Sequence, residues 1–305
     1  MTPLKRRISV LYGGVSKERE VSLVSGKAAA EALEKAGFAV TKIDVPRDVT
    51  TLIKAISDSK PDVVFNALHG RFGEDGRIQG LLDMMGIPYT HSGSMASAVA
   101  MDKPMAKKLF ASAGIPVAPE RIVTRREAEA GDVMDRPYVL KPFNEGSSVG
   151  VKIVRAGDNR PPLDDLGLDL DDQLMAEKFI PGREVTVAVL GDKPLAVTEI
   201  TTSHAFYDYE AKYADGGSKH TLPASLAPEL TARVMDLAVA AHRILGCRGV
   251  SRSDFRLDGN QFTILEVNTQ PGMTPTSLVP EQAAYVGMSF VDLVTWMVEH
   301  ARCDA

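Results

Sequence analysis

The sequence predicts an α/β fold that opens with a parallel sheet and continues as α+β. Strands and helices alternate as β-α-β-α-β over residues 7–67, the order that a parallel sheet requires. Beyond that point strands follow strands, at 138–142 and 149–154, at 184–190 and 194–200, and again at 250–268. At 305 residues the chain exceeds one ordinary core and divides into two or three domains.

Composition narrows the classes. Hydrophobic content of 44% and charged content of 25% are those of a globular protein. A net charge of −5, with both signs mixed along the chain, points neither to nucleic acid nor to a membrane surface. No apolar run approaches the roughly 20 residues that span a bilayer, and MTPLKRRISVLYGG lacks the apolar core and cleavage site of a signal peptide. Two distant cysteines, Cys247 and Cys303, offer neither a disulfide framework nor zinc spacing. A cytoplasmic protein is expected.

Within the first part, the strand at 7–12 leads into GGVSKERE and then a helix carrying Val21, Val24, Ala28, Ala32 and Leu33. Ligands of parallel sheets bind at the carboxyl ends of the strands, here GGVSKERE and HGRFGEDG. The first loop lacks G-x-G-x-x-G spacing. Its glycines admit a close ligand, and Glu18 either holds an ammonium or simply satisfies a helix start. His69 ends the third strand beside it.

Asp102-Lys103-Pro104 opens a helix over 105–113, and Ile115-Pro116-Val117 reads as a linker. The strands at 138–142 and 149–154 enclose a Gly-Ser loop whose N–H groups suit phosphate oxygens, with Lys141 as an adjacent point charge. Residues 161–172, rich in proline and aspartate, form a loop. An apolar strand ending in Glu177-Lys178-Phe179-Ile180 either meets an adenine edge or merely leaves a core. Residues 203–223 hold aromatics and charges without a period, as a functional lid does. Helices follow at 229–245 and 288–300, the latter with Trp296 partly buried.

The stretch GVSRSDFRLDGNQFTILEVNTQPGMTPTS is a hairpin with hard oxygen donors at Asp254, Glu266 and Asn268, suited to Mg²⁺ with phosphates. Its turn sets the chemistry. If Asp258 pairs with Phe262 across the three-residue loop Gly259-Asn260-Gln261, Asp254 lies opposite Glu266 and Arg252 opposite Asn268. The other face then carries Phe255, Leu257, Thr263, Leu265 and Val267. A two-residue loop puts the carboxylates on opposite faces.

In order from residue 13 to 280 stand GGVSKEREVSLVSG, NALHGRFGEDGRIQGLLDMMGIPYTHSG, MDK, LKPFNEGSSVGV, EKFIPGREVTV, FYDYEAKY, SRSDF and LEVNTQPGMTPTSLVP. This ordered set resembles the ATP-grasp enzymes and, among them, the D-alanine–D-alanine ligase family. The resemblance implies three domains, at 1–98, 99–182 and 183–305, with ATP between the second and third. It implies ATP phosphates at Lys103, Lys141 and Ser148, further nucleotide contacts at Glu177, Lys178, Ile180, Glu184 and Lys212, and two Mg²⁺ (or Mn²⁺) at Asp254, Glu266 and Asn268. Glu18 would anchor the first D-alanine's ammonium, with His69 close by, and Ser147 and Tyr213 would link Glu18 to the lid. Arg252, Gly272, Ser277 and Leu278 would hold the second D-alanine and the oxyanion. Tyr213 would favour dipeptide over D-alanyl-D-lactate. A homodimer is also implied, and the rival within the superfamily joins another carboxylate to another amine.

Overall fold

The computed structural model describes residues 6–143, 150–159, 161–202, 217–274 and 276–304. Strands β1 (Arg7–Tyr12), β2 (Ala39–Asp44) and β3 (Val63–Asn66) form a parallel sheet in the order β2-β1-β3, as the alternating pattern predicts. Helices α1 (Arg19–Lys35) and α2 (Val49–Ser59) make the crossovers. Helix α1 departs from its predicted stripe: Val24 is 57% exposed, while Ser22, Ser25 and Gly26 are buried. The cause is close packing. A Cβ on Gly26 would stand 2.3 Å from Tyr12 Cβ, and Ser22 Oγ donates to Ala67 O at 2.7 Å. Small and polar residues therefore line the face of α1 that approaches the strand ends.

Helices α3 (Arg77–Met84), α4 (Ser94–Met101) and α5 (Lys103–Ser112) lead out of this sheet. Asp102 caps α5, accepting the Met105 N–H at 2.9 Å, and Pro104 in the first turn forfeits only a donor that has no helical partner. An antiparallel sheet follows in the order β4-β7-β5-β6, from β4 (Glu120–Thr124), β5 (Tyr138–Lys141), β6 (Lys152–Val154) and β7 (Gln173–Lys178), with α6 (Arg125–Ala130) after β4.

A second antiparallel sheet runs β10-β9-β8-β11-β12, from β8 (Arg183–Leu190), β9 (Lys193–Thr202), β10 (Ser218–Thr221), β11 (Val250–Asp258) and β12 (Gln261–Asn268). Alternate residues of β8 serve different cores. Val185, Val187 and Val189 pack in the cluster of α5 and α7 (Pro228–Ile244). Ala188 and Leu190 join α8 (Leu278–Tyr285), α9 (Phe290–Glu299) and the parallel sheet. That shared core fixes the parallel sheet against the sheet bearing the hairpin.

The hairpin turn is not the predicted one. Asp258 pairs with Gln261, leaving the two-residue loop Gly259-Asn260, with Gly259 at φ 56°. Continued regularly, that register would put Leu265 opposite Asp254. The ladder instead shifts between Phe255 and Asp254, where Leu265 forms a β-bulge, and beyond it Asp254 faces Glu266 and Arg252 faces Asn268. The bulge restores the parity that the turn removed. The apolar face changes accordingly: Phe262 and Ile264 are buried with Phe255, Leu257 and Val267, whereas Thr263 and Leu265 are only half-buried.

Candidate active site

The corrected register gathers four polar side chains on one face of the hairpin. Arg252 donates to Asp254 in a fork, Nε to Oδ1 at 2.9 Å and Nη2 to Oδ2 at 2.8 Å. The Thr186 hydroxyl donates to Asp254 Oδ1 at 2.6 Å. Asn268 Oδ1 accepts the Gln270 N–H at 2.7 Å, and the Gln270 side chain reaches Asn66 at the end of β3. From α5, Lys103 Nζ stands 3.5 Å from Glu266 Oε2.

At the parallel-sheet end, Glu18 directly precedes α1 and is 5% exposed. Its side chain makes no capping hydrogen bond, so helix capping does not account for its placement. Glu18, His69 and Glu74 bring ligand atoms within 4.8 Å of one another. His69 is engaged at both ring nitrogens, Nδ1 with Glu74 Oε1 and Nε2 with Ser25 Oγ, each at 3.2 Å. Ser25 Oγ also accepts the Met273 N–H at 3.4 Å, tying this end to the loop after the hairpin. In that loop Ser277 precedes α8, and its hydroxyl meets Thr274 Oγ1 at 2.7 Å.

One pocket of about 440 Å³ joins these pieces. Glu18, His69, Lys103, Arg252, Glu266 and Asn268 line it, as do Gly272, Ser277 and Leu278. Asp254 lies just behind, held by Arg252.

The remaining predicted residues lie apart from this lining. Lys141 Nζ donates to Glu177 Oε2 at 2.6 Å, and Glu177 is 3% exposed. Burial raises the Glu177 pKa, but the Lys141 and Lys107 ammoniums outweigh it and hold the carboxyl below its usual value. Lys178 is exposed at the end of β7. Arg256 gathers the Ile180 carbonyl at 3.1 Å and Glu184 Oε2 at 3.2 Å. Ser147, Ser148, Lys212 and Tyr213 lie outside the described residues.

Sequence reasoning missed Lys107, Thr186, Glu74, Ser25 and Gln270. Lys107 had a signal, since it sits one helical turn after Lys103. Thr186 had none, because its partner lies on a strand 68 residues away.

The donor set suits a hard divalent cation. Glu266 and Asn268, both carrying oxygen donors, line the pocket, and a carboxylate with about four lone-pair sites retains capacity at Asp254 Oδ2, where Arg252 supplies one bond.

Two antiparallel sheets beside a parallel one, with Lys103 and an acidic hairpin lining one pocket, define the ATP-grasp class of fold. Residues 109–299 match the family model described as D-ala D-ala ligase C-terminus, and residues 48–92 match D-ala D-ala ligase N-terminus. The chain is 60% identical over 302 residues to the D-alanine–D-alanine ligase of Rhodospirillum rubrum, covering 99% of this chain and 100% of that one. It is 59% identical to the one from Paramagnetospirillum magneticum, again covering 99% and 100%. Among solved structures, the D-alanine–D-alanine ligase of Bacillus anthracis superposes with a TM-score of 0.83 at 33% identity, over 97% of each chain. A D-Ala:D-Ser ligase from Enterococcus faecalis gives 0.79 at 31%, over 97% of this chain and 99% of that one. The chain belongs to the D-alanine–D-alanine ligase family.

Proposed function

We propose that this chain joins two molecules of D-alanine to D-alanyl-D-alanine at the expense of ATP, for cell-wall precursor synthesis. One observation carries the reading: a single pocket is lined together by Glu18 and His69, by Arg252, Gly272 and Ser277, and by Lys103, Glu266 and Asn268.

In this reading Glu18, supported by the His69–Glu74 pair, takes the ammonium of the first D-alanine and aims its carboxylate at the γ-phosphorus of ATP. Attack there releases ADP and leaves a D-alanyl phosphate. The amine of the second D-alanine, oriented by Ser277 and Leu278, attacks the acyl carbon, and phosphate departs. Arg252 and the Gly272 N–H stabilise the tetrahedral oxyanion. Lys103 and Lys141 bind phosphate oxygens, and Ser148 and Lys212 would add further nucleotide contacts. Glu177, Lys178, Ile180 and Glu184 form the adenosine side. Asp254, Glu266 and Asn268 would hold two Mg²⁺ or Mn²⁺ ions, which when bound neutralise charge on the phosphates. The lid expected at residues 203–223, most of which lies outside the described residues, would exclude water from the acyl phosphate, with Ser147 and Tyr213 as its expected links to Glu18.

The reading includes divisions at residues 98 and 182, a cytoplasmic location and a homodimer. Among the described residues no helix is long and apolar enough to cross a membrane. Incubation with ATP, Mg²⁺, D-alanine and D-lactate at neutral pH tests the acceptor. The dipeptide is the expected product, and preferential ester formation would refute the assignment.

A further inference from the structure

Lys107 is 3% exposed, a rare burial for a lysine, and it lies one turn beyond Lys103 on α5. The two lysines of this helix reach carboxylates in different sheets. Lys103 meets Glu266 on β12, whereas Lys107 meets Glu177 on β7 and Glu120 on β4. Lys107 Nζ also donates to Ala118 O at 2.9 Å and stands 2.7 Å from Glu120 Oε2. Glu177 is divided between lysines: Oε1 accepts from Lys107 and Oε2 from Lys141. Each carboxylate oxygen is thereby fixed, and the Lys141 ammonium is fixed with it. The quartet balances two positive against two negative charges, so losing one ammonium leaves an uncompensated buried carboxylate.

We propose that Lys107 is a positioning residue for nucleotide binding. It anchors Glu177, which holds the Lys141 ammonium where the polyphosphate of a nucleoside triphosphate is recognised. Lys107 thus governs affinity for the phosphates without touching them. Without Lys107, Glu177 is free to turn, and Lys141 loses the fixed carboxylate oxygen that holds its ammonium in place. This inference rests on the ligase reading for the role of Lys141. It predicts selective damage: phosphate recognition suffers, while the D-alanine subsites do not, nor does the adenine edge, which the 177–180 stretch would meet through backbone groups rather than through the Glu177 carboxylate.

The test uses the full chain with Lys107→Met, and with Lys107→Met combined with Glu120→Gln. The double variant keeps one ammonium per carboxylate and is the arm to rely on if the single variant does not fold. Calorimetry with Mg²⁺ measures ATP and adenosine binding, and ADP release measures KM for ATP and for D-alanine. The expected result is a loss of about tenfold in ATP affinity, a coupling typical of groups in one buried network. Adenosine binding and the KM for D-alanine should stay within about twofold of wild type. Unchanged ATP affinity in the folded double variant would overturn the proposal, as would an equal loss for adenosine and ATP. If the wild type binds ATP but releases no ADP with D-alanine, the ligase reading fails, and the comparison of ATP with adenosine still decides the role of Lys107.

Discussion

Asp254 faces Glu266 across β11 and β12 because Leu265 bulges out of the ladder between them and the turn. The turn alone sets the opposite parity. Since side chains alternate with a period of two, a slip by one residue would have turned Glu266 into the core beside Phe255 and Ile264. The bulge makes two demands compatible: a tight Gly259-Asn260 turn and an apolar face beneath a polar one. Glu266→Gln keeps this shape while removing a charge. The variant should retain its melting temperature and lose Mn²⁺ binding, followed by the paramagnetic signal of free ion. Undiminished binding would place the metal elsewhere.

Thr186 supports the same platform from β8. It is fully buried, and its hydroxyl donates to Asp254 Oδ1 at 2.6 Å. Thr186→Val keeps the shape but withdraws a donor from a buried carboxylate. The expected cost is about 1–3 kcal/mol in urea unfolding, together with weaker divalent-ion affinity. Stability and affinity both at wild-type levels would mean that Asp254 does not depend on this bond.

Ser25 links His69 to the Met273 N–H, and so joins two parts of the proposed D-alanine site. Ser25→Ala leaves the His69 ring held only by Glu74. The KM for D-alanine should rise several-fold and the KM for ATP should not change. Initial-rate kinetics with each substrate varied separately makes that distinction.

How much of this was legible from sequence follows from the kind of information each feature needs. The β-α-β-α-β order is local patterning, and it read correctly because helical and strand periods differ. The stripe of α1 misled, since its buried face is built from Ser22, Ser25 and Gly26, which are small enough for Tyr12 to approach and polar enough to serve the site. The acidic hairpin was visible as residue types, but its turn and bulge were not, because register depends on neighbours outside the hairpin. One such neighbour is Pro116, whose carbonyl accepts the Ile264 N–H at 2.9 Å, adjacent to the bulge. The Lys107 network was hidden despite the one-turn spacing from Lys103, since its carboxylates come from separate strands.

Acid stability offers an independent check on the buried histidines. His242 is pushed down to about 4 and His91 to about 3, in both cases chiefly by burial. Each is depressed below the ordinary 6.5, so the unfolded chain binds protons more readily in that interval. Their contribution is complete above 6.5 and is lost as pH falls toward 4 and 3. Unfolding free energy should fall by roughly 3 kcal/mol for each histidine between about pH 6.5 and 4. His242→Gln, which keeps a partner for Ser251 Oγ, should flatten part of that slope. An unaltered slope would assign the acid loss to other groups.

The central claim is that one pocket brings D-alanine, ATP and divalent ions together for ligation. ADP release in the presence of Mg²⁺ measures it directly, with D-alanine, L-alanine or glycine as the amino acid. The account predicts turnover that depends on D-alanine, is far weaker with L-alanine or glycine, and is absent in Glu266→Gln. A folded wild-type preparation with no D-alanine-dependent ADP release would contradict it.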